Sequence, residues 1–349
     1  MQIKELNEYP QPAMLGGAGR LCGMNELARA LFPGFKPGDK LPEVLNMPAD
    51  EPRWEGSVPL MGNTYRVTAL REGEHILYLI SPREQYALTE GQLDGALYQM
   101  RTLMGQFRRE LGPYVSGERE QFAQGDLEEF SGSYYRMLRL MDHLDLLRDA
   151  ASGQLFVEKQ WLELGRVCER TAMECDGLLK EVGVKVVFES SGVPVSVSGD
   201  EGLLRDALLE LISNCARRRK QGGQVKLQLS SVGNWARICV TDDGPQATKR
   251  ERLTLTGRGL RPLIPTPDMG AGLGLSAAEE IIRRHAGALM VSADGGAPRV
   301  YLMLPIVRRG GENLPLRSPG PERNAGLNPY LIALSDVLPG AVIREDWKV

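Results

Sequence analysis

Three short segments carry residue types that could do chemistry together. One is the glycine-rich turn Gly270-Ala271-Gly272-Leu273-Gly274-Leu275-Ser276, which runs into the helical Ala277-Ala278-Glu279-Glu280-Ile281-Ile282-Arg283-Arg284-His285. Without Cβ atoms in the way, backbone N–H groups of such a turn can close on an anion, and the positive end of the helix dipole adds to the attraction. Another is Asp242-Asp243-Gly244-Pro245, straight after the strand-like Ala236-Arg237-Ile238-Cys239-Val240. The third is Glu210-Leu211-Ile212-Ser213-Asn214-Cys215-Ala216-Arg217, inside a helical pattern that starts near Asp200. Glu210 and Asn214 stand one helical turn apart and point the same way. Each segment alone has a bland reading: a loop that turns a corner, an ordinary Asp-Gly turn, a helix-face asparagine. Their combination, in this order along the chain, is what raises them above it.

In that order the segments resemble the asparagine box, first glycine box and second glycine box of the ATP-binding domain shared by histidine kinases, DNA gyrase, Hsp90 and MutL. The histidine-kinase version fits best, because His285-Ala286-Gly287, a Val-Ser strand and a terminal Leu-Pro resemble that family's ending. The likeness covers roughly Leu155 to Pro305. It implies a two-layer α/β sandwich with a mixed sheet, and Mg-ATP lying between helices and sheet.

The resemblance assigns roles residue by residue. Asp242 would accept a hydrogen bond from the adenine amino group, which guanine lacks there. Gly244 would keep the turn open beneath the base; two residues on, where relatives usually have Gly, this chain has Gln246. Asn214 would offer its amide oxygen to Mg²⁺, which prefers hard oxygen ligands and keeps several waters. In relatives, an acid at the position of Glu210 orients the attacking nucleophile or a water. Arg217, or Arg218, would meet phosphate oxygens where the family often has Lys; most of the run Arg217-Arg218-Arg219-Lys220 reads as a solvated helix end. Gly270, Gly272 and Gly274 would line the triphosphate. The segment between Pro245 and Met269 would be the lid, and its Lys249, Arg250, Arg252, Arg258 and Arg261 suit an anion cover. It lacks a clear aromatic motif for docking on the helices.

These groups must be positioned by the elements around them. Residues 153–306 form the expected ATP-binding domain. Before it, residues 83–152 switch to long amphipathic helices. Leu93, Leu97, Met100, Met104, Phe107 and Leu111 make one apolar stripe, ended by Gly112-Pro113, and Leu127, Phe130, Tyr134, Met137, Met141 and Leu144 make a second. Trp161 and Leu162 begin a further helical pattern that runs on through Leu164, Val167, Cys168 and Ala172. Two long helices with a short connection form an antiparallel hairpin, and their remaining apolar surface makes a dimeric four-helix bundle the natural solution. Residues 1–82 hold the strand-like Pro12-Ala13-Met14-Leu15, a helix capped by Asn25 and a hairpin signal across Arg71-Glu72-Gly73-Glu74, which together look like a small PAS sensor domain. Residues 307–349 read as a linker rich in Arg, Gly and Pro, then a short helix with Asn328 as cap and Pro329 in first place. That helix would dock on the body or on a partner.

The hairpin departs from the family. Tyr98-Gln99-Met100-Arg101-Thr102-Leu103-Met104 lines up with the family pattern His-Glu-Leu-Arg-Thr-Pro-Leu, so Tyr98 stands where a phosphoacceptor histidine is expected and Gln99 replaces its acidic neighbour. A phenol is neutral at pH 7, with a reference pKa near ~10, and is a poor nucleophile without a base. The other histidines offer little in exchange. His143 lies off the apolar stripe between carboxylates and reads as a solvated helix-face residue, a substitute phosphoacceptor being the weaker alternative; His285 matches a histidine that helps the family close its helix into the next strand; His75 reads as structural.

Composition narrows the classes. At 349 residues the chain holds two or three domains, and 42% hydrophobic with 25% charged residues is ordinary for a globular protein. A net charge of -3 gives no reason to expect nucleic acid or an anionic membrane as partner. Cys22, Cys168, Cys175, Cys215 and Cys239 form no CxxC pair and read as reduced thiols. No window reaches the ~18 apolar residues of a membrane helix, and Met1 to Glu8 lacks the apolar core of a signal peptide, so a cytoplasmic protein is expected. The whole reads as a multidomain α+β, histidine-kinase-like signalling protein that binds ATP and Mg²⁺ and self-phosphorylates weakly or not at all, with a homodimer partner and a response regulator or partner kinase downstream. The alternative is an inactive, nucleotide-gated scaffold. A serine kinase acting on another protein is a weaker third reading.

Overall fold

The N-terminal strands are β1 (Ala13–Gly17), β2 (Arg20–Met24), β3 (Arg53–Leu60), β4 (Asn63–Glu72) and β5 (His75–Pro82), of which β1 is apolar and buried along most of its length. The computed structural model describes residues 5–45, 51–82, 90–115, 123–192, 194–219, 222–244, 273–292, 297–307 and 327–344. Helix α1 (Glu26–Leu31) follows β2, and Asn25 caps it as its sequence position requires: Oδ1 accepts from the Ala28 N–H at 2.9 Å and from the Ala13 N–H at 3.0 Å. The same amide therefore fastens the helix to β1.

The hairpin helices are α2 (Glu90–Val115) and α3 (Gln124–Ala151). Pro113 does not end α2, contrary to the sequence expectation. It lies in the last turn, where the loss of one N–H costs little and the helix is about to stop anyway. The buried face of α2 is also rotated from the expected stripe. Ala96 and Leu103 are buried, whereas Leu97 and Met104 face outward. Phe107 and Phe130 meet edge to face across the hairpin, ring centroids 5.0 Å apart.

The C-terminal half holds β6 (Gln160–Glu163), α4 (Leu164–Leu179), β7 (Val184–Ser190), β8 (Ser196–Gly199), α5 (Glu201–Arg218), β9 (Gly223–Val232), β10 (Trp235–Asp242), α6 (Leu273–Arg284), β11 (Ala288–Ser292) and β12 (Arg299–Pro305). Trp161 and Leu162 thus lie in a strand paired with β8, not in the helix expected there; Glu163 caps α4 and separates the two. The large sheet runs β2-β1-β5-β4-β3-β11-β12-β10-β9-β7. It is mixed: β7 pairs with β9 in parallel, the other pairs are antiparallel. Helices α4, α5 and α6 cover one face of its C-terminal part, and Val167, Leu204, Leu208, Ile212 and Ile281 share one core with Val225, Leu227, Ile238, Val240 and Leu302.

One sheet joins the two ends of the chain because β3 pairs with β11, Gly56 opposite Met290. A Cβ at Gly56 would stand 2.2 Å from the Leu289 carbonyl oxygen, so only glycine permits this approach. Trp54 and Val58 share a core with Met290, Tyr301 and Met303. Glu51 accepts from the Tyr301 hydroxyl at 2.8 Å, from Arg299 Nη1 at 2.7 Å and from Ser292 Oγ. Burial opposes ionisation of Glu51, but those three donors outweigh it and hold its carboxyl below the usual range.

The C-terminal segment docks on the body. Helix α7 (Pro329–Leu334) is capped by Asn328, whose Oδ1 accepts from the Tyr330 N–H at 2.9 Å, and a further short helix, α8 (Gly340–Arg344), follows. Leu331, Ile332, Leu334, Leu338 and Ile343 are buried in the main core. Gly340 sits so close to α3 that a Cβ there would lie 2.0 Å from the Glu128 carbonyl oxygen.

Candidate functional site

Helix α5 carries most of the candidate residues. It starts at Asp200, whose Oδ1 accepts from the Leu203 N–H at 3.1 Å, and buries Leu204, Leu208 and Ile212, each one helical turn after the last. The turns of the helix not used by this stripe present Glu210, Asn214, Arg217 and Arg218.

Glu210 is 6% exposed and fully engaged. Arg139 of α3 grips both oxygens, Nη2 to Oε2 at 2.7 Å and Nε to Oε1 at 3.3 Å. His143, one turn further along α3, donates Nε2–H to Oε1 at 2.8 Å. Burial alone would keep the Glu210 carboxyl neutral, but the Arg139 charge, with the hydrogen bonds from His143 and Arg139, outweighs it and holds it well below the usual carboxylate range. Arg139 is equally committed: burial disfavours its charge, yet Glu210 and Asp336 raise its pKa above the ordinary value. Its Nη1 donates to Asp336 Oδ2 at 2.7 Å, so the C-terminal segment completes the cluster. His143 is therefore no solvated helix-face residue; its side chain is only 13% exposed, because α3 turns a second face, Tyr135-Arg139-His143, toward α5 and α6.

Gly274, in the first turn of α6, borders this cluster. A Cβ at Gly274 would stand 2.1 Å from Glu210 Oε2 and 3.5 Å from His143 Cε1. Gly270 and Gly272, and the lid segment with Lys249, Arg250, Arg252, Arg258 and Arg261, lie outside the described residues.

Asn214 is half-buried, one turn beyond Glu210, and its Oδ1 accepts from Arg217 Nη2 at 3.0 Å. A single hard oxygen there suits Mg²⁺ held mainly by phosphates and waters. Among the described residues no group of three or more His, Cys, Asp or Glu could hold a metal alone. Arg217 also lies 3.9 Å from Asp336.

Asp242 ends β10, buried to 5% exposure. Its Oδ1 accepts from the Gly244 N–H at 2.8 Å, which shapes the turn, and its Oδ2 accepts from Arg218 Nε at 3.1 Å. Arg218 and Arg219 are not a solvated helix end: Arg218 is committed to Asp242 and Arg219 pairs with Asp243 at 2.9 Å. The Cys215 thiol lies beside Asp242, and burial first, then the Asp242 charge, push it upward.

His285 closes α6 into β11. Its Nδ1–H donates to the Ile281 carbonyl at 2.7 Å and its Nε2 accepts from the Asp200 N–H at 2.9 Å, which ties α6 to the start of α5. Burial lowers its pKa.

The sequence reading missed Arg139 and Asp336. Arg139 stands four residues before His143, so the two share a helix face, but a charged pair on an amphipathic helix ordinarily marks solvent.

Residues 199–308 match the family described as Histidine kinase-, DNA gyrase B-, and HSP90-like ATPase. This segment is a histidine-kinase-like ATPase domain. It spans α5, β9, β10, α6, β11 and β12, and with them the residues Glu210, Asn214, Asp242 and Gly274. Among curated proteins, the adaptive-response sensory kinase SasA of Prochlorococcus marinus (strain MIT 9303) is 27% identical over 201 residues, 55% of this chain and 54% of that protein. The signal transduction histidine-protein kinase/phosphatase MprB of Mycobacterium sp. (strain KMS) is 29% identical over 170 residues, 47% of this chain and 32% of that protein. The chain thus spans about half the length, or less, of the curated relatives it matches. The solved Acinetobacter baumannii histidine kinase AdeS overlays on 60% of this chain and 98% of its own at 17% identity and a TM-score of 0.49; the family match, not this overlay, carries the assignment.

Proposed function

We propose that this chain is a histidine-kinase-like signalling protein that binds Mg-ATP but does not use the first hairpin helix as phosphoacceptor. The single observation that carries the reading is the ATPase-family match across residues 199–308, with Asp242 buried at the end of β10 where the base-reading carboxylate is expected. Asp242 reads the adenine amino group, Asn214 holds Mg²⁺, Arg217 meets phosphate oxygens, and Gly270, Gly272 and Gly274 line the triphosphate. Tyr98 supports the loss of the usual acceptor: it stands 41% exposed on α2, and the Glu210 carboxylate is engaged elsewhere. The hairpin pairs with a second copy through its outward Leu97, Met104 and Met141, and residues 1–82 act as a PAS-like sensor. The downstream partner is a response regulator or a partner kinase, and the protein works in the cytoplasm.

Equilibrium binding of a fluorescent ATP analogue tests the core of this reading. Mg-dependent binding that is abolished in Asp242→Ala is expected; absence of binding to the wild-type chain would overturn it. The second reading, a scaffold that keeps the fold without turnover, draws on a specific observation: both Glu210 and Asp242 have each carboxylate oxygen taken by groups of the chain itself.

A further inference from the structure

His143 is the imidazole that the fold delivers to the ATPase domain. It reaches there on α3, within the same chain, and three elements converge on its ring: α3 itself, Glu210 of α5 at 2.8 Å, and the first turn of α6, where a Cβ on Gly274 would lie 3.5 Å from Cε1. Leu273, which opens α6, packs on Leu140 and Leu147 of α3 and so holds the start of that helix beside His143. A helix start of this kind draws anions through its unpaired N–H groups and its dipole.

The bonding at Glu210 decides which ring nitrogen is available. Arg139 keeps the carboxylate ionised, so it can only accept. The proton in the 2.8 Å contact therefore sits on His143 Nε2, whatever the charge of the ring. In the neutral imidazole Nδ1 then holds the lone pair, and among the described residues Nδ1 has no hydrogen-bond partner. The carboxylate fixes both tautomer and ring orientation, which is how a histidine is prepared as a nucleophile.

We propose that His143 is a phosphoacceptor, taking the γ-phosphoryl group of ATP on Nδ1, with Glu210 as the positioning residue. The assignment rests on the nucleotide-binding reading given above. In the step, the Nδ1 lone pair forms the N–P bond while the bond from the γ-phosphorus to the bridging oxygen breaks, its electron pair leaving with ADP. The Nε2 proton stays on the ring during transfer, where the Glu210 carboxylate balances the imidazolium-like charge, and passes to solvent afterwards. Atoms and charge balance without a further reactant. Arg139 and the C-terminal Asp336 serve by keeping Glu210 ionised and fixed.

The test incubates the full chain with γ-labelled Mg-ATP and locates the label by mass spectrometry under alkaline conditions. The expected result is an acid-labile, alkali-stable phosphoryl group on the peptide that holds His143, kept in Tyr98→Phe and lost in His143→Gln. Binding of the fluorescent ATP analogue and the thermal melt are measured on the same His143→Gln protein, and both stay near wild type, so loss of label is not loss of fold. Localisation in the wild-type chain does not depend on any variant. A chain that binds the analogue and acquires no label at His143, or a label that survives His143→Gln, would overturn the assignment while leaving nucleotide binding intact. A chain that binds no analogue would overturn both.

Discussion

Arg139 and Glu210 form a buried ion pair between hairpin and ATPase domain, Nη2 to Oε2 at 2.7 Å, with each side chain 8% exposed. Both charges leave water, so the pair is stabilising only as long as both partners are present. Arg139→Met strands Glu210 and Asp336 without their guanidinium. We expect a loss of about 3–5 kcal/mol in unfolding free energy by urea denaturation. Glu210→Gln combined with Arg139→Met should recover most of it, since the uncompensated carboxylate is then gone. An additive double variant would mean that the pair is not coupled.

Gly274→Ala tests how rigidly that pair is held. The new Cβ would stand 2.1 Å from Glu210 Oε2. A free glutamate would swing aside at little cost, but this one is fixed on both oxygens by Arg139 and on one by His143. The substitution should cost about 1–3 kcal/mol, the range for an overpacked contact, read in the same denaturation experiment. A change below ~0.5 kcal/mol would show the cluster to be loose.

Arg218 occupies the carboxylate that we propose as the reader of the adenine base. Its Nε lies 3.1 Å from Asp242 Oδ2, and the Gly244 N–H holds Oδ1. A ligand amino group must displace a charged donor, and hydrogen bonds to charged groups are worth about 1.5–3 kcal/mol. Arg218→Ala should therefore tighten binding of an ATP analogue, roughly tenfold for ~1.4 kcal/mol released. Titration by fluorescence checks this; weaker binding in the variant would mean that Arg218 contributes to holding the ligand.

How much of this could be read beforehand depends on locality. Glu210, Asn214, Asp242 and Gly244 stand out as candidates because each lies in a motif a few residues long and each residue type has few roles in its position. Asn25 as a helix cap is legible for the same reason, and its side chain does accept the Ala28 N–H. The contacts that depend on distant chain are not legible. Arg139 reads as a surface charge until Glu210, 71 positions on, is placed against it. Strand β3 contains Gly56 and Pro59, residues that weaken a strand pattern, yet Gly56 is there because β11 comes too close for any side chain. The apolar Leu331, Ile332 and Leu334 announce burial, but only the fold chooses the body of this chain as the place.

His285 provides the pH dependence. It is buried and neutral, its Nε2 accepting from the Asp200 N–H at 2.9 Å and its Nδ1–H given to Ile281 at 2.7 Å. Burial, the largest cause, lowers its pKa in the folded state, against a nearby Asp200 that favours the charge and a Lys159 that opposes it. An unfolded histidine titrates near ~6.5, so below that pH the unfolded chain takes up a proton that the folded chain resists. The contribution of His285 is thus complete above ~6.5 and is lost as pH falls through the lower folded value. Protonation would also turn Nε2 into a donor facing the Asp200 N–H, breaking the tie between α6 and α5. The melting temperature of the wild-type chain should fall between pH 7.5 and pH 5.5. His285→Gln should melt lower at pH 7.5 but show a flatter profile over the same interval, because its side chain has no proton to gain. Parallel profiles for the two proteins would place the pH dependence at another group.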